Sequence, residues 1–101
     1  MKTPKEINDF FKTENGKAFS NFLVGQIVDI ESRKTPEDKK ETEYSCLFDS
    51  IKTFPDIDGF NLGENFLQMM EYMEEQSSEI IVKEMNKKFQ KGISRLKKLN
   101  I

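Results

Sequence analysis

The chain has 101 residues, of which 36% are hydrophobic and 34% charged, and its formal net charge is -2. This length predicts a single domain over residues 1–101. Nine phenylalanines supply the bulky apolar side chains that disordered chains lack, which argues against disorder. A nearly neutral chain has no overall attraction to nucleic acid or anionic lipid, so any electrostatic role must come from a local patch.

Missing residue types exclude several kinds of chemistry. Histidine is absent, which excludes histidine-based acid–base catalysis, Ser–His and Cys–His pairs, and zinc sites that use histidine. Cys46 is the only cysteine, and the N-terminus shows no signal peptide, so we expect a reducing, cytoplasmic location. Apolar runs are only a few residues long, which predicts no membrane span. Without a glycine-rich phosphate loop, we expect no cofactor and no small-molecule substrate.

The N-terminal third predicts two helices. Thr3-Pro4-Lys5-Glu6 fits a capping box with proline in the first turn. Asn15-Gly16 predicts a stop or sharp bend, and a second helix is expected over residues 17–32. Within it, residues 24–30 are rich in β-branched side chains and alternatively predict a short strand, which would make the fold α+β. Helical spacing fits the longer window better.

A third helix is predicted between Pro36 and Pro55, because Thr35-Pro36-Glu37-Asp38 repeats the N-terminal cap pattern. Its expected buried face consists of Tyr44, Leu47, Phe48, Ile51 and Phe54. Residues 55–63 read as a loop, after which Asn61 can cap the fourth helical segment.

The last forty residues carry an apolar stripe in helical steps of three and four from Phe66 to Leu96. As one straight helix this segment would extend roughly 55 Å, too far for the rest of a compact chain to cover. It either breaks, at residues 76–78 or at the weaker point Gly92, or projects and pairs with a second copy. The sequence therefore predicts an all-α bundle of four to five helices with a long C-terminal helix, and both alternatives stay open.

Charge is divided along this segment. Residues 54–82 contain seven acids and no bases, whereas residues 83–101 contain seven bases and one acid, Glu84. One interpretation is that the charges complement the helix macrodipole. The other is antiparallel pairing of an acidic half with a basic half, which favours a homodimer through the C-terminal helix.

Two groups of residues are candidates for binding a partner. Phe60, Met69 and Met73 could form an aromatic and methionine-rich surface, although such clusters are more often core. The second group is a basic stripe with helical spacing, which is expected to face solvent, opposite the apolar stripe: Lys83, Lys87, Lys91 and Arg95.

The basic stripe has two interpretations. It could contact phosphates, with Asn86 and Gln90 reaching base edges, which predicts a dimeric nucleic-acid-binding regulator. Alternatively it is a solvated face or binds an acidic protein. A calcium site at the acids of residues 55–64 fails the EF-hand pattern. Cys46 is expected to be a small residue in the core or at its boundary and not a nucleophile.

The absence of catalytic motifs together with the amphipathic final segment favours a non-enzymatic protein-interaction module. We expect it to inhibit or bridge another macromolecule. Small chains rich in lysine, asparagine and phenylalanine are frequent in phage and mobile elements, so a regulator encoded by such an element is one concrete form of this hypothesis.

Overall fold

The computed structural model describes residues 2–99, and within this range it contains five α-helices and no strand of a sheet. The all-α prediction is confirmed. The alternative strand at residues 24–30 is wrong, because these residues lie in the middle of the second helix. The helices are α1 (Pro4–Lys12), α2 (Glu14–Ser32), α3 (Glu37–Lys52), α4 (Phe66–Ile80) and α5 (Lys83–Leu99).

The first two helices meet at Thr13. The predicted capping box forms at the start of α1, where the Glu6 backbone N–H donates to Thr3 Oγ1 over 3.2 Å. Thr13 is extended, ends α1 and caps α2. The predicted bend at Asn15-Gly16 is therefore two residues late. Gly16 lies inside α2, and a Cβ there would stand 1.9 Å from the Phe10 carbonyl oxygen, so this glycine permits close approach of the two helices.

The third helix begins one residue later than expected. Pro36 occupies the N-cap position without a side-chain cap bond. The hydroxyl of Thr35 is buried with no hydrogen-bond partner, so the second predicted capping box does not form. The helix ends at Lys52. On its predicted face Tyr44, Leu47 and Ile51 are buried, whereas Phe48 is half-buried and Phe54 is half-buried beyond the end of the helix.

A tight two-residue turn follows α3. The backbones of Ile57 and Phe60 hydrogen-bond to each other over 3.0 and 2.9 Å, and Asp58 and Gly59 between them both have positive φ. This geometry matches a type I′ turn, which favours Asp-Gly. Asn61 then accepts the Glu64 backbone N–H over 2.8 Å, which stabilises the turn before α4. Asn61 does not cap α4 as predicted, because this helix begins at Phe66, with Asn65 at the N-cap position and no side-chain cap bond.

The long C-terminal segment is broken at Ile81 and Val82, not at residues 76–78. Ser77 is helical, and its hydroxyl donates to the Glu74 carbonyl over 2.9 Å. Ile81 adopts an extended conformation, and α5 then folds back along α4. The break removes the overhang from which a homodimer was inferred, because the Cα radius of gyration is 13.1 Å and the longest extent is 37 Å.

Helix α5 lies at the centre of the bundle and packs against α2, α3 and α4. Its inner face carries Phe89, Ile93 and Leu96, all 0% exposed. Gly92 lies on the same face, where a Cβ would stand 2.2 Å from Ile27 Cγ2 and 2.6 Å from Tyr44 Oη. Gly92 is therefore a packing requirement and not the weak point of the helix that the sequence suggested.

Candidate functional site

The aromatic and methionine candidates lie in the core. Met69 and Met73 are 0% exposed, and Phe60 is 6% exposed. Phe60 stacks on Phe10 with ring centroids 4.3 Å apart, because the turn directs it back onto α1. Phe60, Met69 and Met73 therefore belong to the core, which the sequence analysis gave as the more frequent role of such clusters, and they form no exposed surface for a partner.

The outer face of α5 is basic, as the sequence predicted, but the residues that form it are not all those predicted. Lys83, Lys87 and Lys91 are exposed. Lys98 is also exposed and continues the row, since it follows Lys91 at helical spacing. We call Lys83, Lys87, Lys91 and Lys98 the lysine face.

Arg95 does not belong to the lysine face. Its side chain is 17% exposed and lies where α5 meets α2 and α3. The guanidinium forms an ion pair with Glu37 and stands 3.3 Å from Glu31 Oε2 through Nε. These contacts raise the pKa of Arg95, with the Glu37 hydrogen bond as the main cause, and Arg95 lowers the pKa of Glu37. The one arginine of the predicted stripe is therefore neutralised within the chain.

Glu31 is the centre of this polar cluster, and its side chain is only 2% exposed. Tyr44 Oη donates to Glu31 Oε2 over 2.6 Å, and Lys91 Nζ lies 4.0 Å from Glu31 Oε1. Burial, followed by the hydrogen bond to Glu31, raises the pKa of Tyr44, so the hydroxyl keeps its proton and remains a donor. We call Glu31, Glu37, Tyr44 and Arg95 the Glu31 cluster. It joins α2, α3 and α5 beneath the lysine face.

A cleft of about 490 Å³ opens between α3 and α5 beside the lysine face. Tyr44 and Arg95, two members of the Glu31 cluster, also line this cleft. Leu99, which is 39% exposed, adds an apolar side chain to its lining. The cleft is lined by Glu41, Tyr44, Lys91, Ser94, Arg95, Lys98 and Leu99.

The residues expected to reach base edges face the wrong way. Gln90 Nε2 donates to the Glu74 carbonyl over 3.1 Å and to the Ser77 hydroxyl, both on α4. Asn86 is half-buried, with its carbonyl oxygen out of contact with solvent. Because Gln90 is bound to α4 and Asn86 is half-buried, the predicted readout of bases by these two side chains has no structural basis.

A second exposed patch lies between α2 and the loop after α3. Phe22 is 40% exposed, and its ring centroid is 6.1 Å from that of Phe54. Beside them, Asp56 accepts a hydrogen bond from Asn61 over 2.9 Å and Asp58 accepts one from Asn15 over 3.2 Å. Residues 2–99 contain no group of three or more acidic or cysteine side chains arranged to hold a metal ion. Cys46 is exposed, so the prediction that it lies in the core or at its boundary is wrong.

The sequence analysis missed Glu31, Glu37, Tyr44 and Lys98 as site residues. Glu31 carried a detectable signal, because it follows Ile27 by four residues and so falls on the buried face of α2. An acid at an apolar position indicates that a buried partner is needed. The pairing with Arg95 depends on the packing of three helices and has no local signal.

Comparison of the chain with protein-family models, curated proteins and solved structures finds no match. Of the helices within residues 2–99, none has the length and apolar character that crossing a membrane requires. The arrangement of side chains is therefore the basis for a functional proposal.

Proposed function

We propose that this protein is a non-enzymatic interaction module that binds an acidic surface of another protein through the lysine face of α5. Binding would block or bridge that partner, so the module would act as a regulator. The observation that carries the proposal is the row of exposed lysines on α5, a helix that packs against three others.

The lysine face is rigid and available. Its lysines span residues 83–98, which corresponds to roughly 22 Å along the helix. Lys83, Lys87 and Lys98 have no ion-pair partner among residues 2–99. Because packing on three sides fixes the backbone of α5, the charges are presented without loss of backbone entropy on binding, and pre-organisation of this kind favours affinity.

The adjoining cleft offers apolar contact next to the charges. Leu99 is partly exposed at its rim, and the stems of Lys91 and Lys98 line it. A few well-packed, buried residues carry most of the binding energy of an interface, while surrounding charges direct encounter and fix register. A partner segment with acidic residues beside one apolar side chain fits this combination.

Nucleic acid is the alternative partner for the same face, since lysines can also contact phosphates. Two observations favour protein. Arg95 is occupied by Glu31 and Glu37, and Gln90 is bound to α4. Specific recognition of bases relies on arginine, asparagine and glutamine side chains, which the lysine face does not present.

The test is capture of partners from source-cell lysate by the tagged protein, with half of each sample treated with nuclease. We compare wild type with the double variant Lys87→Glu/Lys98→Glu. The matched control is Lys5→Glu/Lys12→Glu, which makes the same change in net charge on α1, where both lysines are exposed.

The proposal predicts one protein that wild type and the α1 control retain in both halves and that the α5 variant loses. Retention only in the untreated half would identify nucleic acid as the partner. Equal retention by the two charge-reversed variants would show that the lysine face is not the binding surface.

A further inference from the structure

We propose that two copies of this chain can exchange α5, giving a domain-swapped dimer in which α4 and α5 join into one straight helix. In this dimer, the α5 of each copy would occupy the place between α2, α3 and α4 of the other. The inference concerns the break between α4 and α5 and does not depend on the proposed function.

The break contains no residue that requires it. It consists of Ile81 and Val82, with neither glycine nor proline, and Val82 is 65% exposed. Sharp changes of helix direction are normally caused by proline, glycine or a capping side chain. Both flanking segments belong to a single apolar stripe with helical spacing. Local sequence therefore permits a continuous helix, and tertiary contacts are what keep the hairpin folded back.

A continuous helix would add backbone hydrogen bonds at the break. In the hairpin, Ile81 N–H donates to the Ser77 carbonyl over 2.9 Å, and the N–H groups of Met85 and Asn86 both donate to the Val82 carbonyl, over 3.0 and 3.1 Å. Straightening would give the N–H groups of residues 82–84 carbonyl partners at residues 78–80. As a single helix, α4 and α5 would measure roughly 51 Å, beyond the longest extent of the monomer, 37 Å.

The contacts that hold α5 can form between copies as well as within one. Lys97 Nζ lies 3.2 Å from Glu74 Oε1, and Gln90 Nε2 donates to the Glu74 carbonyl. The inner face of α5 fills the core through Phe89 and Ile93. Exchange in a closed two-fold dimer preserves each of these contacts, because the same residues meet across chains. The ion pair between Glu74 of the acidic half and Lys97 of the basic half is thereby kept in both states.

The first test varies the break and measures mass. Wild type, Val82→Ala and Lys83→Pro are unfolded in denaturant and refolded at low and at high protein concentration. Light scattering coupled to size exclusion then separates the 11.8 kDa monomer from a species of twice that mass. Alanine favours helix at an exposed position, whereas proline suits the first residue of α5 but interrupts a continuous helix.

We expect a dimer of wild type after refolding at high concentration, a several-fold larger dimer fraction for Val82→Ala, and none for Lys83→Pro. Far-UV circular dichroism of the Lys83→Pro monomer should match wild type. Should the proline variant not fold, Val82→Gly replaces it, since glycine disfavours the continuous helix and makes no steric demand. It should lower the dimer fraction.

The second test distinguishes exchange from side-by-side association. Spin labels are attached through Glu74→Cys and Lys97→Cys in a Cys46→Ser background, and labelled chain is refolded with excess unlabelled chain. In the hairpin the side chains of Glu74 and Lys97 are 3.2 Å apart, so labels at these two positions are close together. An exchanged chain separates them by roughly 35 Å.

The proposal predicts the long distance in the dimer fraction and the short distance in the monomer. It is overturned if wild type and Val82→Ala stay monomeric at every concentration. It is also overturned if dimers keep the short distance within each chain, or if the dimer fraction is insensitive to the residue at the break.

Discussion

The two faces of α5 differ in how much change of side chain they are expected to tolerate. The inner face meets three helices and contains Gly92, whose Cβ position is already occupied by Ile27 and Tyr44. The outer face carries exposed lysines, of which Lys91 alone approaches an acid within residues 2–99. The inner face therefore determines the fold, whereas the outer face can change without affecting it. The Glu31 cluster lies between the two faces, where its ion pairs and hydrogen bond join α5 to α2 and α3.

The largest effect is expected from truncating the inner face. Phe89 is 0% exposed, and Phe89→Ala would remove a buried ring and leave a cavity where α5 meets its neighbours. We expect a loss of about 3–5 kcal/mol in the free energy of unfolding, measured by urea denaturation. Since small domains have stabilities of about 5–15 kcal/mol, the variant should be near the limit of folding. A loss below about 1 kcal/mol would contradict the central position of α5.

Replacing two helical glycines by alanine should change the free energy of unfolding in opposite directions. At Gly92 the added Cβ meets Ile27 and Tyr44, so Gly92→Ala should lower the free energy of unfolding by about 1–3 kcal/mol. At Gly25 nothing lies within 4 Å of the added Cβ, so Gly25→Ala should raise it by about 0.5–1 kcal/mol. Urea denaturation of both variants tests this, and a shared sign would show that packing does not distinguish the two positions.

The Glu31 cluster should show an intermediate effect. Tyr44→Phe removes the 2.6 Å hydrogen bond to Glu31, whose carboxylate stays buried. We expect a loss of about 1–3 kcal/mol in the free energy of unfolding at neutral pH. Tyr72 provides the matched control, since its hydroxyl donates to Asn8 over 2.9 Å, outside the Glu31 cluster and with an uncharged acceptor. Tyr72→Phe should cost less than Tyr44→Phe, and the reverse order would contradict the role of Glu31.

Alkaline pH should remove the same contribution from wild type. The pKa of Tyr44 is raised in the folded state from a reference value of 10.0. The stability that this provides is therefore complete below pH 10 and is lost as the pH rises above it. The difference in unfolding free energy between wild type and Tyr44→Phe should be constant from pH 7 to 9.5 and shrink above pH 10. A difference that grows above pH 10 would contradict the prediction, because it would require the pKa of Tyr44 to be lowered on folding.

The smallest effect on stability is expected from the outer face. Lys87 and Lys98 are exposed and have no ion-pair partner among the described residues. Reversing both charges should change the free energy of unfolding by no more than about 0.5 kcal/mol. Thermal denaturation followed by circular dichroism checks this. A loss comparable with that of Gly92→Ala would show that the lysine face supports the fold.

The sequence predicted elements well where one local signal decided them. The capping box at Thr3 and the helical faces of α2 and α3 follow from spacing and side-chain type. The break at Ile81 could not be predicted in this way, because β-branched residues without glycine or proline do not specify a stop. What ends α4 is the gain from packing α5 against α2 and α3, which depends on the whole fold.

The candidate site was predicted only in part, because local spacing determines some of its side chains and packing between helices determines the others. Helical periodicity correctly predicted that Lys83, Lys87 and Lys91 are exposed, because these positions lie opposite the apolar stripe. It misplaced Arg95, because a long side chain at the edge of a face can turn toward buried acids on neighbouring helices. It could not decide between surface and core for Phe60, since the direction of that ring is set by the positive-φ turn at Asp58-Gly59.

The most direct measurement of the central claim is the affinity of the captured, purified partner for four proteins by isothermal titration calorimetry. These are wild type, Lys87→Glu/Lys98→Glu, Lys5→Glu/Lys12→Glu and Gly25→Ala. The account predicts a loss of at least tenfold in affinity for the α5 variant alone, with binding by wild type weakening as salt is raised, since exposed charges are screened. Equal affinities across all four proteins, or an affinity of wild type that is independent of salt, would contradict the claim that the outer face of α5 is the binding surface.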